Sequence, residues 1–171
     1  MSKSCCFTGH RVIEYSEQDR LGETLVAEIT QLVNEGFETF YAGGAIGFDT
    51  IAAKAVIKVR EEYPEISLRL LLPCKGQENR WNTKQKQEYN EIMEQADSAE
   101  YISENYSVYA MHKRNKALVN RSDFCLCYLG TEKGGTAFTV RYAEENGLKL
   151  KNLFPTSQIS LFDEIIHLTE R

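Results

Sequence analysis

Short apolar runs alternate with longer amphipathic stretches along this chain, and that alternation restricts the fold more than any single motif. Apolar runs too short for a helix suit strands buried on both faces, and such strands occur in parallel sheets whose crossovers are helices. Strands are expected at Lys3–Thr8, Glu38–Ala42, Ser67–Pro73, Ser98–Ile102, Asp123–Leu129 and Leu150–Leu153. The first helix, about Ser16 to Asn34, carries Leu21, Leu25, Ile29, Leu32 and Val33 on one stripe and stops at Gly36. A second opens at Gly47 and ends before Pro64, and others cover Thr83–Gln95, Val108–Asn120 and Thr136–Asn146. A last helix, about 158–169 with its apolar part from Leu161 to Thr169, is expected as a terminal cover. The pattern predicts one α/β domain over residues 1–171, a three-layer α/β/α sandwich with a mainly parallel sheet. The expected strand order is 3-2-1-4-5, with the sixth strand at an edge.

In an open parallel sheet the ligand lies beyond the C-terminal ends of the strands, so the residues that follow each strand carry the information. They read TGHR after the first, AGGAIGFD after the second, PCKGQENRW after the third, SENY after the fourth and GTEKGGT after the fifth. Two of these loops open a helix, whose free amides and positive dipole end favour an anion. The stretch from Gly43 through Gly44 and Gly47 to Asp49 is not a P-loop, because Phe48 and Asp49 stand where Lys and Ser or Thr would be needed. It does not have the G-x-G-x-x-G spacing of a dinucleotide fingerprint either. Gly43 and Gly44 permit close approach of backbone to a ligand, and Gly47 relieves the start of the helix. Asp49 repels a phosphate, so it either caps its own helix or accepts hydrogen bonds from a sugar hydroxyl or a base amine. Gly134, Gly135 and Thr136 lack that charge and are the better phosphate seat, with a tight turn into a helix as the plain alternative.

Arg114 and Asn115 fall three and four residues after Met111, on the inward stripe with Leu118 and Val119. Polar groups there need partners. Arg114 is placed to reach a ligand phosphate or to pair with an acidic residue; Asn115 is placed to meet a base or to tie loops together. His10 and Arg11 follow Gly9 at the end of the first strand, where a satisfied structural histidine competes with ligand contact. Arg80 and Trp81, near Lys75 and Gln77, make a cationic, stacking wall or else pack a helix on the sheet. His112 and Lys113 read as solvated helix residues, and His167 carries no evident chemistry. The cysteines Cys5, Cys6, Cys125 and Cys127 suit small buried strand positions, the first two on opposite faces and the last two on one face. Cys74 follows Pro73, where a loop thiol would face a ligand. No spacing of a metal site occurs.

The formal charge of −5 and pI near 5.3 argue against nucleic acid as a partner, since that grip rests on many Lys and Arg contacts. No run approaches the roughly 20 apolar residues of a membrane span and no signal-like stretch follows the start, so a soluble, cytoplasmic protein with no membrane partner is expected. Self-association stays open.

Taken together, FTGHR, AGGAIGFDTIAA, LLPCKGQENRW, MHKRNKALVNRSDF and GGTAFTVRYAEENGL resemble the YpsA-like family of the SLOG superfamily, over residues 3 to about 154. The resemblance implies a Rossmann-like sheet related to the DprA/Smf and LOG proteins and a nucleotide or nucleotide-derived ligand, ADP-ribose-like compounds included, with no settled catalytic activity and no certain cofactor. It implies a ligand edge of Gly9, Arg11, Gly43, Gly44, Gly47, Asp49, Arg114, Asn115, Gly134, Gly135 and Thr136. LOG hydrolases resemble P-G-G-x-G-T-x-x-E, whereas here no Glu stands three residues after Thr136, and Glu144 and Glu145 lie two or more turns further on. The expectation is therefore a ligand-binding protein or sensor. The alternatives are a phosphoribohydrolase or N-glycosidase, with Asp49 or a loop glutamate such as Glu132 as catalytic candidate, and a DprA-like binder of single-stranded DNA.

Overall fold

The computed structural model describes residues 2–155. They form β1 (Lys3–Gly9), α1 (Tyr15–Asn34), β2 (Phe37–Ala42), α2 (Phe48–Arg60), β3 (Ser67–Leu72), α3 (Thr83–Gln95), β4 (Ser98–Tyr101), α4 (Val108–Asn120), β5 (Phe124–Tyr128), α5 (Gly135–Glu145) and β6 (Lys149–Asn152). All strand pairings are parallel, in the order β4-β3-β2-β1-β5-β6. The terminal helix expected at about 158–169, and His167 with it, lies outside the described residues.

The helices divide by face. Leu21, Leu25 and Ile29 of α1, Ala52 and Val56 of α2 and Tyr89 and Ile92 of α3 bury against Cys5, Phe7, Phe40, Leu68 and Leu70 on one side of the sheet. On the other side Leu118 of α4 and Val140 of α5 cover Cys6, Leu71, Cys125 and Cys127. Cys5 and Cys6 thus point to opposite faces and Cys125 and Cys127 to one, all four buried. Cys74 does not face a ligand. It is fully buried, and burial, with Glu78 beside it, raises its thiol above the ordinary range.

One expectation about topology needs correction. β4 pairs with β3 at the sheet edge, whereas the order 3-2-1-4-5 placed it between β1 and β5. The reason is in its side chains: Ser98, Ala99, Glu100 and Tyr101 are all exposed, and a strand this polar cannot occupy a central position with helices on both faces. β1 to β4 therefore wind outward in one direction, and α4 returns across the second face to set β5 on the free side of β1. The direction of winding reverses between β1 and β5, which opens a crevice at their C-terminal ends.

α4 begins where it does because the Ser107 hydroxyl accepts the Ala110 N–H at 2.9 Å. This cap sets the register that directs Met111, Arg114 and Asn115 toward the crevice.

Candidate ligand site at the topological switch

A cavity of about 370 Å³ occupies the crevice. Thr8, Gly9, His10 and Arg11 contribute from the end of β1, and Lys133, Gly134, Gly135 and Thr136 from the loop into α5. The opposite wall is the face of α4 that carries Val108, Met111, His112, Arg114 and Asn115, with Asp49 at the floor. Gly43, Gly44 and Gly47 are not on this wall. Arg80 and Trp81 line a separate cavity of about 320 Å³ that shares Arg11 and Met111 with the first.

The loop between β2 and α2 is filled by protein. A Cβ on Gly43 would stand 2.7 Å from Arg114 Nη1 and 2.8 Å from Asp49 Oδ2. Gly47, at φ +77°, packs against the Arg11 carbonyl, and the Phe48 N–H donates to the His10 carbonyl at 3.0 Å. The first amide of α2 is thereby spent on the β1 loop and is not open to an anion. Asp49 does not cap its own helix. Its Oδ2 accepts the Ala45 N–H at 3.2 Å, and the Arg114 guanidinium approaches the same face of Gly43. Burial raises the Asp49 carboxyl above the usual carboxylate range, opposed by Arg114, the Ala45 and Gly43 N–H groups and Arg11.

Arg114 is held from within the fold. Only 4% exposed, it donates through Nη1 to the Gly43 carbonyl and through Nε to Asn115 Oδ1 at 2.8 Å. Burial lowers its pKa and the Asp49 charge opposes that shift; the guanidinium stays cationic. Asn115 is thus engaged through its oxygen, which leaves its amide N–H groups for the cavity. His10 ties three elements together: its N–H meets the Tyr128 carbonyl at 3.3 Å, its carbonyl takes the Phe48 N–H, and its Nε2 accepts the Gly130 N–H at 2.8 Å. Partial burial pulls its pKa below the ordinary imidazole value.

The loop into α5 has the opposite character. Among the described residues neither Gly134 nor Gly135 would bring a Cβ within 4 Å of other atoms, and no side chain caps the helix start. Its first-turn amides border the cavity beside Arg11 and Lys133, both exposed and in no ion pair among the described residues. The position three after Thr136 is Thr139, buried, with its hydroxyl donating to the Gly135 carbonyl at 2.8 Å.

His112 is the residue that sequence reasoning missed. It is not a solvated helix residue: its ring packs on Phe138 at 4.4 Å between centroids, lines the cavity and keeps Nδ1 buried without a partner among the described residues. The signal was its place four residues after Val108 and three before Asn115, on one helical face. Lys133 was missed as well, because in sequence it is only a charge beside a glycine turn.

An open, parallel α/β sheet with a crevice at the switch between β1 and β5 defines a Rossmann-like protein. The model of the YspA SLOG family (YpsA) matches residues 5–163, and the chain belongs to that family. It is 32% identical over 129 residues to a UPF0398 protein of Halalkalibacterium halodurans, covering 74% of this chain and 66% of that one. A UPF0398 protein of Staphylococcus epidermidis is 25% identical over 179 residues, covering 96% and 92%. Among solved structures, the DNA processing protein DprA of Streptococcus pneumoniae superposes with a TM-score of 0.64 at 15% identity, over 87% of this chain and 49% of that one. DprA of Helicobacter pylori, described with its single-stranded DNA binding mode, gives 0.61 at 20% identity, over 86% and 63%. These structures share the fold, and the chain spans about half to two thirds of their length.

Proposed function

We propose that the chain binds a nucleotide or nucleotide-derived ligand, with a phosphate at the start of α5 and the sugar reaching toward α4. The observation that carries this reading is the uncapped α5 start. Its amides border a cavity flanked by Arg11 and Lys133, two cations in no ion pair among the described residues, and that arrangement favours a small anion. Asn115 amide and His112 supply further polar contacts to the sugar.

Binding is favoured over hydrolysis. Cleavage of an N-glycosidic bond needs a free carboxylate beside the developing positive charge and an activated water. Among the described residues the one carboxylate on the wall is Asp49, which is buried and accepts the Ala45 N–H. At the position of the glutamate in the hydrolase-like motif, Thr139 bonds Gly135.

The test is mass spectrometry of small molecules retained through gentle purification, followed by calorimetry with ribose 5-phosphate, nucleoside monophosphates and a single-stranded oligonucleotide. Retention or saturable binding of a nucleotide supports the reading. An oligonucleotide that binds while mononucleotides and ribose 5-phosphate do not would replace it with a DNA-binding role. Rapid release of free base from a nucleoside monophosphate, lost in Asp49→Asn, would replace it with an enzyme.

A further inference from the structure

The second cavity, about 320 Å³, opens beside the first and shares Arg11 and Met111 with it. Its walls differ in chemistry. Trp81 is half-buried, held edge-on by Tyr89 at 5.4 Å, and its indole N–H has no acceptor among the described residues. Tyr106 faces it with two thirds of its surface exposed, at 67%. Arg80 is exposed and in no ion pair among the described residues. At the base is Gln77, only 7% exposed: its Nε2 donates to the Gly44 carbonyl at 3.4 Å, and its Oε1 has no partner among the described residues. A buried acceptor left unpaired is costly, so a donor offered there is favoured.

We propose that this second cavity is a base subsite. It takes a nucleobase that bears an exocyclic amine, stacked on Trp81, with the amine donating to Gln77 Oε1 once the amide pivots about its bond to Gly44 and brings the oxygen to the cavity. The inference rests on the phosphate reading above, because one ligand then spans both cavities past Arg11. The aromatic faces and Arg80 suit any planar ring. The acceptor confers the preference: one Gln77 N–H is held by the Gly44 carbonyl and the oxygen is unpaired among the described residues, so a base amine relieves a buried acceptor and a base carbonyl at the same place does not.

Trp81 is the chain's single tryptophan, so its fluorescence reports on this cavity alone. Full-length protein is titrated with ribose 5-phosphate, AMP, CMP, IMP and UMP, following heat and Trp81 emission, excited at the red edge to avoid absorption by the bases. Ribose 5-phosphate is expected to bind without changing the emission. AMP or CMP is expected to quench it and to bind about tenfold more tightly than its deaminated counterpart, IMP or UMP, and Gln77→Met is expected to abolish that preference while leaving affinity for ribose 5-phosphate unchanged. Because Gln77 also holds Gly44, the ligand comparison on the unaltered protein stands if the variant does not fold. Ribose 5-phosphate binding with nucleotides no tighter and emission unchanged overturns the base subsite and leaves the phosphate reading intact. Equal affinity for amine and carbonyl bases overturns the role of Gln77. Failure of all five compounds to bind overturns both.

Discussion

After β2 the chain runs from Gly43 through Gly44 and Gly47 into α2; after β5 it runs through Gly134 and Gly135 into α5. Both are glycine turns at the same sheet edge. Around the first, every missing side chain is replaced by protein: Arg114 and Asp49 at Gly43, Leu72 at Gly44, the Arg11 backbone at Gly47. Around the second, among the described residues, there is open space beside a cavity. A glycine run near a helix start therefore has two uses, to let protein pack against backbone or to leave backbone free for a ligand. Here the first loop is the foundation and the second the proposed seat.

The contrast breaks most severely at Gly47. Gly47→Ala forces a side chain into φ +77° and against the Arg11 carbonyl, and it should destabilise by about 3 to 4 kcal/mol, roughly 10 °C in Tm. Gly135→Ala, with no neighbour to strike, should stay within about 0.5 kcal/mol of the unaltered protein. Thermal melts of the two variants side by side are the check; equal losses would erase the distinction between the loops.

Arg114→Ala sharpens it next. The substitution removes the bond to the Gly43 carbonyl and leaves the Asp49 carboxylate buried without its cation, so a loss on the order of 3 kcal/mol in chemical denaturation is expected. A variant that melts normally and only binds less tightly would return Arg114 to the ligand. Arg11→Ala should do the reverse. Its guanidinium is exposed, with a weak 3.9 Å contact to the Met111 sulfur and a smaller charge contribution at Asp49 than Arg114 makes, so Tm should shift by no more than about 1 to 2 °C. Nucleotide affinity by calorimetry should fall by roughly ten- to a hundredfold, the equivalent of about 1.5 to 3 kcal/mol in charge-assisted hydrogen bonds.

The smallest effect concerns the hinge between the loops. The folded pKa of His10 lies below 6.5, its ordinary value, so the unfolded chain takes up the proton first as the solution is acidified. The stability that neutral His10 provides is present above pH 6.5 and is lost as pH falls through the folded value, because a protonated Nε2 cannot accept the Gly130 N–H. Tm measured against pH should decline below 6.5 more steeply for the unaltered protein than for His10→Asn. Parallel profiles would remove His10 from that role.

Much of this was legible in the residues themselves. The alternation of short apolar runs and amphipathic stretches determines strands and helices because burial on two faces or one leaves a distinct periodicity, and Leu21, Leu25, Ile29 and Leu32 are buried in α1 on that account. The cysteine faces follow from the two-residue repeat of a strand. The loops at the strand ends were legible as an edge rich in glycine, since chain order alone puts them there in a parallel sheet. What tertiary structure decided was partnership. Whether β4 flanks β3 or β1 depends on which edge buries less of Ser98–Tyr101, a comparison between distant pairings that no local window contains. Whether Gly43 faces a ligand or Arg114 depends on a helix that arrives 71 residues later, and the same helix brings His112 to the cavity wall. Local periodicity is written by each segment's own side chains. The occupant of the space beside a glycine is set by whichever remote segment packs there.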